Sequence, residues 1–546
     1  MQLVSLLGLV AILAVCWVLS RSRREVRWRT VLWGLGLQFL LALIILRDDL
    51  WGRAGIVAFA VLLVLYGARQ VGAMSWTASL GVLAAAAVSS AGLAALDPVW
   101  SISSGIALAA TLIVASRLRA GPKSRALQAP PTLRALLGSG LIATGVGWIF
   151  AAGLSGRELF ASAARGVAGL LDLAEYGARF VFGNLALESH FYPPADAGWP
   201  GFGYLFAFKL LPIIVFFGSV MAVFYYLGWV QALIQAVARF MRWTMGTGGA
   251  ETLCAANNIF IGQTEAPLLI KPYLAAMSRS ELVSVMVGGF ATLGGGSMAA
   301  YIALGVPAEH LLAAGVMSAP ATLVVAKILV PQGAAGGVEV DRLDPIDTGD
   351  NVIEAATIGI TDGTRLAVNI GAMLIGFITL IAVVDVGLNA VDGWIDGRLL
   401  GGEPIERAAT GFSPVTHEFA GIFPGSLRTL FGTLLAPAAW LLGVPWADAG
   451  RVGHLLGVMV SLNEFVAYSS LAELIRTGAL GERAIVLTTY ALCGFANFGS
   501  IGVQIGGLSA LAPGRRGDFA RAGLLAMAGG ALASWLTATV AGVLLP

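Results

Sequence analysis

Apolar runs long enough to cross a bilayer recur along most of this chain, with charged positions falling between them. A spanning helix needs about 20 apolar residues, because it rises about 1.5 Å per residue through a hydrocarbon core of about 30 Å. The pattern predicts helices near 3–20, 29–46, 54–67, 78–95, 104–116 and 135–153. Residues 157–186 read differently. Apolar positions recur there at helical spacing around Glu158, Arg165, Asp172, Glu175 and Arg179, which predicts an amphipathic helix lying along an interface. A Pro/Gly-rich loop from Tyr192-Pro193-Pro194 to Pro200-Gly201 leads into a span over 204–230, in which Lys209 reads as a snorkelling lysine more readily than as a transport residue.

The second half is less regular. Gly246, Gly248, Gly249, Gly262 and Pro267 break 244–280 into two short apolar halves around Asn257-Asn258 and Gln263-Thr264-Glu265. Arg239 and Arg242 precede this region while Lys271 and Arg279 follow it, so it reads as a re-entrant hairpin that enters and leaves on one side. A span over 281–304 is interrupted at Gly294-Gly295-Gly296, and another covers 309–331. The polar, acidic stretch 341–363 predicts an interfacial connector, 365–386 a span, and 387–426 an outside loop with a short helix. A second hairpin over 455–476 holds Asn463-Glu464, followed by a broken span over 484–511, a loop at Arg515-Arg516-Gly517-Asp518, and a last span over 520–544.

Charge orients these elements. With the N-terminus outside, the inside loops collect Arg21, Arg23, Arg24, Arg27, Arg29, Arg69, Arg117, Arg119, Lys123, Arg125 and Arg134, whereas the outside loops hold only Arg47 and Arg53. The basic cluster follows the first apolar run instead of preceding it, so that run reads as a retained span, not a cleaved signal. Hydrophobic residues make up 58% of the 546 and charged residues 12%, which fits a polytopic membrane protein. A net charge of +2 gives no reason to expect nucleic acid. Cys16, Cys254 and Cys493 lie in apolar runs without metal or disulfide spacing.

Two segments repeat each other: Gly289-Phe290-Ala291-Thr292-Leu293-Gly294 and Gly494-Phe495-Ala496-Asn497-Phe498-Gly499. Each follows a hairpin that carries a glutamate, Glu265 or Glu464. A carboxylate at membrane depth is costly unless it faces a cavity or partner, so both are site candidates. Counting spans, the first hairpin opens to the cytoplasm and the second outward. The chain therefore reads as an all-α polytopic membrane protein with inverted repeats, two re-entrant helical hairpins and two broken transmembrane helices, an architecture that places substrate and ion near the midplane. Its expected parts are N-terminal transmembrane helices (1–153), a scaffold with interfacial and transmembrane helices (154–243), a first transport repeat (244–331), interfacial and scaffold helices with an outside loop (332–454), and a second transport repeat (455–546).

At these residues a family resemblance becomes legible. The segment Asn258-Ile259-Phe260-Ile261-Gly262-Gln263-Thr264-Glu265-Ala266-Pro267-Leu268-Leu269-Ile270-Lys271-Pro272-Tyr273-Leu274 resembles the signature of the concentrative nucleoside transporters. So do Gly288-Gly289-Phe290-Ala291-Thr292, Asn463-Glu464-Phe465-Val466-Ala467-Tyr468 and Cys493-Gly494-Phe495-Ala496-Asn497, and the similarity runs from about residue 200 to the C-terminus. The resemblance implies cation-coupled import of nucleosides of the uridine, cytidine and adenosine class, by homotrimers whose transport domain moves like an elevator. It further implies base contacts from Gln263, Thr264 and Glu265, ribose contacts from Glu464, Asn497 and Ser500, and a site lining from Phe495. Sodium ligands would come from Asn258, Ile261, Thr292 and Leu293. Two departures stand out: Gly296 where members carry a hydroxyl residue with Ser297 beside it, which bears on base preference and makes Ser297 a substrate-site candidate, and Met459 where several carry lysine.

The residue types suit that chemistry. An ionised Glu464 accepts from vicinal hydroxyls while Asn497 donates and accepts. Hard oxygens from Asn258, Thr292 and freed carbonyls suit sodium. Two alternatives stay open on the residues alone: proton coupling through Glu265 or Glu464, and a membrane-embedded hydrolase using that pair as acid and base. His417-Glu418-Phe419-Ala420-Gly421 lacks the second histidine of a zincin motif, and the sequence carries no Walker motif. The Ala/Gly/Arg-rich composition suggests a bacterial inner membrane.

Overall fold

The computed structural model describes residues 1–70, 142, 145–150, 152–191, 205–263, 265–333, 338, 349–406 and 413–545. The spans expected over 78–95 and 104–116, most of that over 135–153, the loop at 192–201, the start of the 341–363 connector and Thr264 lie outside the described residues. The chain forms two compact units, residues 39–162 on one hand and 1–38 with 163–546 on the other. Among the described residues, seven helices are long and apolar enough to cross a membrane.

In the smaller unit, helix Leu50–Gln70 turns back on the end of helix Trp28–Leu46, with Gly55 against Leu43 and Ile44. The helix that starts at Gly156 opens with a capping box. The Ser155 hydroxyl accepts from the Glu158 N–H at 3.1 Å, and the Glu158 carboxylate accepts from the Ser155 N–H at 2.7 Å.

In the larger unit one order of elements occurs twice. The first set runs Trp229–Met245, the short helix Gly249–Asn257, a turn, the short helical pieces Ala266–Ile270 and Lys271–Leu274, the split helix Arg279–Ala291 plus Gly295–Ala303, and Ala308–Leu329. The second runs Leu427–Leu441, Trp446–Ser461, Glu464–Arg476, the split helix Glu482–Ala491 plus Phe498–Leu511, and Arg516–Leu544. Helix Ala308–Leu329 is almost wholly buried, and its Ala, Gly and Ser positions permit the close approach that membrane helices use in place of a hydrophobic drive.

Two kinds of fastening tie the helix ends. In the first set, Lys327 in the last turn of Ala308–Leu329 pairs with Glu251 in the first turn of Gly249–Asn257 at 2.6 Å, both side chains being buried. The same ammonium donates to the Ser280 hydroxyl at 2.9 Å and the Gln332 carbonyl at 2.5 Å. Each charge sits at the helix end its sign favours. In the second set, the Arg483 guanidinium donates to the carbonyls of Gly443, Gly542 and Leu545 at 2.9, 2.6 and 3.1 Å, satisfying C-terminal groups that the helices leave open.

Several boundaries differ from the sequence expectation. From Val352 on, the connector expected over 341–363 runs without a break into the span 365–386 as one helix, Val352–Asp392, because nothing between them interrupts the backbone ladder. Its 41 residues cover about 60 Å, so it extends well beyond one bilayer core. Residues 387–426 are not simply loop. The helix continues to Asp392, a wider turn follows over Gly393–Leu399, and Pro404–Glu406 pairs antiparallel with His417–Phe419. Asp385, Asp392 and Asp396 lie seven and four residues apart, on one helical face, and accept from the N–H groups of Leu427, Phe419 and Phe423 at 2.8, 2.9 and 2.7 Å. This ladder fixes the loop to the helix. Glu418 accepts from the hydroxyls of Ser426 and Thr429 at 2.5 and 2.6 Å, which gives the His417-Glu418 pair a local structural role. Helix Leu427–Leu441, which the outside-loop expectation did not include, meets Trp446–Ser461 at 115°. The first split lies at Thr292–Gly294, two residues before the expected Gly294–Gly296 interruption, and Arg516–Asp518 belong to the last helix. Lys209 pairs with Glu175 at 3.2 Å, so its charge is met within the protein instead of snorkelling away.

Candidate substrate and cation site

The two splits in the helices place their polar ends together. Helix Arg279–Ala291 stops where Thr292 turns extended, and the next half resumes at Gly295. A Cβ on Gly294 would lie 2.9 Å from Gly262 of the hairpin tip, and the Gly295 N–H donates to the Phe260 carbonyl at 3.1 Å. Only glycine permits so close a backbone approach. The tip of the first hairpin is thereby docked onto the first split. Gly494, at φ 156°, brings the second split just as near the first: its Cβ would lie 2.4 Å from the Phe290 carbonyl oxygen. Ser534, on the last helix, donates to the Cys493 carbonyl at 2.6 Å beside them.

Glu464 opens helix Glu464–Arg476, with Asn463 as its N-cap accepting from Val466 N–H at 2.9 Å. Its carboxylate is buried, 7% exposed. Asn497 donates to it from Nδ2 at 3.0 Å, and Tyr301 donates from its hydroxyl at 3.4 Å. Asn497 is also the N-cap of Phe498–Leu511, its Oδ1 accepting from Ser500 N–H at 2.8 Å. Both atoms of this amide are thus committed, and its NH2 is aimed at the carboxylate. Tyr301 stacks on Tyr468 with ring centroids 4.3 Å apart, and Tyr468 donates to the Thr489 carbonyl at 2.8 Å. Phe495 is half-buried beside this group in the chain, and Ser500 is buried. The structure therefore gathers Glu464, Asn497 and Ser500 into one hydrogen-bonded set.

The first hairpin behaves otherwise. Gln263 is buried with its Oε1 unsatisfied, and its Cβ lies 2.9 Å from where a Gly289 Cβ would be. Gln504 reaches the same spot from helix Phe498–Leu511 and donates to the Met286 carbonyl at 2.9 Å. Glu265, unlike Glu464, is exposed. Ser297 is buried in the first turn of Gly295–Ala303, one turn before Tyr301.

Asn258, Ile261, Thr292 and Leu293 surround the docked split. Asn258 is 1% exposed, and neither of its side-chain polar atoms has a hydrogen-bond partner. The Thr292 hydroxyl donates to the Gly288 carbonyl at 2.8 Å, which spends its proton and leaves its lone pairs as acceptors. Among the described residues, no backbone hydrogen bond ends on the carbonyls of Ile261 or Leu293. Oxygens that accept and find no donor are what a hard cation requires. These residues fit one.

Sequence reasoning passed over Tyr301, Tyr468, Gln504, Ser534 and the Glu251–Lys327 pair. Part of the signal was present. Tyr301 stands four residues after Ser297, Tyr468 four after Glu464, and Gln504 seven after Asn497, so each shares a helix face with a candidate.

The chain matches three family profiles: Na+ dependent nucleoside transporter N-terminus over residues 7–70, nucleoside recognition over 207–308, and Na+ dependent nucleoside transporter C-terminus over 310–542. It is 38% identical to an uncharacterized transporter of Haemophilus influenzae over 416 residues, covering 76% of this chain and 91% of that protein. It is 40% identical over 389 residues to sodium/nucleoside cotransporter 1 of Rattus norvegicus, covering 68% of this chain and 54% of the other, so it spans about half the length of that mammalian relative. Among solved structures it is similar to CNTnw in an inward-facing substrate-bound state, with a TM-score of 0.68 and 31% identity over 99% of this chain and 98% of that one. A variant of CNTnw in an outward-facing state gives a TM-score of 0.70 at 31% identity, covering 99% and 97%.

Proposed function

This chain belongs to the concentrative nucleoside transporter family, a multi-pass membrane transporter and not an enzyme, and we propose that it imports nucleosides by sodium symport across a bacterial inner membrane. The observation that carries the reading is the Glu464 carboxylate, buried yet supplied with oriented donors by Asn497 and Tyr301. A buried charge that a fixed amide aims at suits vicinal hydroxyls, which donate to the carboxylate and accept from the amide. Ribose contact is assigned to Glu464, Asn497 and Ser500, with Phe495 and Ser297 lining the site. Base contact is assigned to Gln263, Thr264 and Glu265. Gln504 stands two turns, about 10 Å, along the helix from Asn497 and next to Gln263, a spacing that a base joined to a sugar bridges.

Sodium is assigned to Asn258, Ile261, Thr292 and Leu293, a set of neutral oxygens that cannot carry a proton. Proton coupling is the second reading, favoured only by the burial of Glu464. The two hairpins enter the membrane from opposite sides as re-entrant elements, and segments 244–331 and 455–546 move together as a transport domain against a homotrimeric scaffold built from the rest. The test is uptake of labelled uridine and adenosine into proteoliposomes under an inward sodium gradient against choline, with pH and voltage clamped. Sodium-dependent accumulation supports the reading, and the two rates rank the bases. Accumulation that follows protons alone moves coupling to the glutamates. No uptake by folded protein overturns the nucleoside reading.

A further inference from the structure

Thr322 lies in the middle of helix Ala308–Leu329 and is 0% exposed. A helix threonine ordinarily donates its hydroxyl proton to the carbonyl four residues back, as Thr357, Thr361, Thr364, Thr379, Thr489 and Thr537 do here. Thr322 does not. Among buried threonines of the described residues, only Thr322 and Thr488 have a hydroxyl without a partner. Thr322 is distinguished by its neighbour. The Asn258 Nδ2 and the Thr322 Cγ2 lie 2.8 and 3.4 Å from one point, the place a Gly288 Cβ would occupy. Both residues are buried and both have polar atoms left unsatisfied. Gly288 is also the residue whose carbonyl takes the Thr292 proton at 2.8 Å.

Asn258, Thr292 and Thr322 thus reach one turn of helix Arg279–Ala291 from three other directions: the hairpin tip, the split, and the neighbouring helix. Buried polar atoms without partners are rare, and a cluster of them implies a ligand that completes them. None of the three side chains is a carboxylate, which favours a monovalent cation over a divalent one. Pro320, two residues before Thr322, removes one ladder hydrogen bond from this helix, so the backbone beside the niche is already loosened. We propose that Thr322 supplies a side-chain oxygen to a monovalent cation held with Asn258 and Thr292. The inference rests on the cation-coupled reading above and adds a ligand from a helix which that reading leaves out.

The experiment compares wild type, Thr322→Val and Thr322→Ser, purified in detergent, by the thermal shift that added sodium produces, and in proteoliposomes by the sodium dependence of uridine uptake. Valine keeps the shape and removes the hydroxyl, whereas serine keeps the hydroxyl. Losing one oxygen ligand is expected to raise the half-saturating sodium concentration of Thr322→Val about tenfold, with Thr322→Ser within about twofold of wild type. Uridine affinity at saturating sodium stays unchanged in both. If Thr322→Val does not fold, Thr322→Ala takes its place with the same expectation. A wild-type sodium response in the variant lacking the hydroxyl overturns the inference, and so does a loss of uridine affinity that saturating sodium does not repair. A wild-type protein that shows no sodium response overturns the cation reading itself, and this inference with it.

Discussion

Thr292 and Asn497 occupy the same position of the repeated hexapeptide, and they have opposite duties. Thr292 closes the half-helix behind it: its hydroxyl donates to Gly288, and what remains are lone pairs. Asn497 opens the half-helix ahead of it: its carbonyl accepts from Ser500, and what remains is an NH2 group that donates to Glu464. One position of a duplicated motif therefore presents acceptors in the first repeat and donors in the second. The first suits a cation; the second suits a carboxylate with a polyol. The two hairpin glutamates divide in the same way, Glu265 exposed and Glu464 buried with two donors. The repeat contains two broken helices, and a single residue type at the matching position decides which polar groups each break presents.

The largest expected effect tests the second repeat. Glu464→Gln removes the charge that two donors address and that the proposed ribose contact requires, and uptake of every nucleoside is expected to fall about a hundredfold or more. Normal uptake by inserted, folded Glu464→Gln protein would break the assignment. Next is the fastening of the first repeat. Lys327→Met leaves Glu251 buried without its partner and is expected to cost about 3–5 kcal/mol of stability, whereas Lys327→Met combined with Glu251→Gln regains part of that loss. Apparent melting temperatures of the three proteins, with Arg483→Lys as the second-repeat control, measure it.

Exchanging the paired residues sharpens the comparison. Asn497→Thr is expected to raise the KM for uridine about tenfold with little change in sodium dependence, and Thr292→Asn to do the reverse. Equal loss of both affinities in either variant would erase the division of labour. The smallest effect belongs to Tyr301→Phe. Its hydroxyl reaches Glu464 at 3.4 Å, a long hydrogen bond, so uridine uptake is expected to fall only about twofold to threefold.

Much of this was open to reading in one dimension. The spans over Trp28–Leu46, Phe206–Tyr226 and Ala308–Leu329 follow from apolar length alone, a local property, as does the shorter apolar helix Gln2–Val18. So do the broken helices, since Gly294 and Gly494 stand inside runs that would otherwise continue. Glu464 and Asn497 were legible because a polar group in an apolar run is conspicuous and because the motif occurs twice. Local pattern misled where an element's extent depends on its surroundings. Helix Val352–Asp392 passes through a polar stretch that read as a connector, and Asp392 and Asp396 read as loop because the amides from which they accept lie about thirty residues further on.

What the sequence alone determined is the class: a membrane-spanning, internally repeated chain with two polar breaks, each fixed by residues within one short window. The tertiary structure decided which groups meet. Tyr301 and Glu464 are 163 residues apart, and Met286 and Gln504 are 218 apart. Asn258 and Thr322 converge on Gly288 only because three helices pack there. Periodicity records which face a residue lies on, but not what stands opposite it. Whether a buried oxygen is satisfied or left for a ligand is settled across helices, where packing at the glycines brings backbones within contact of each other.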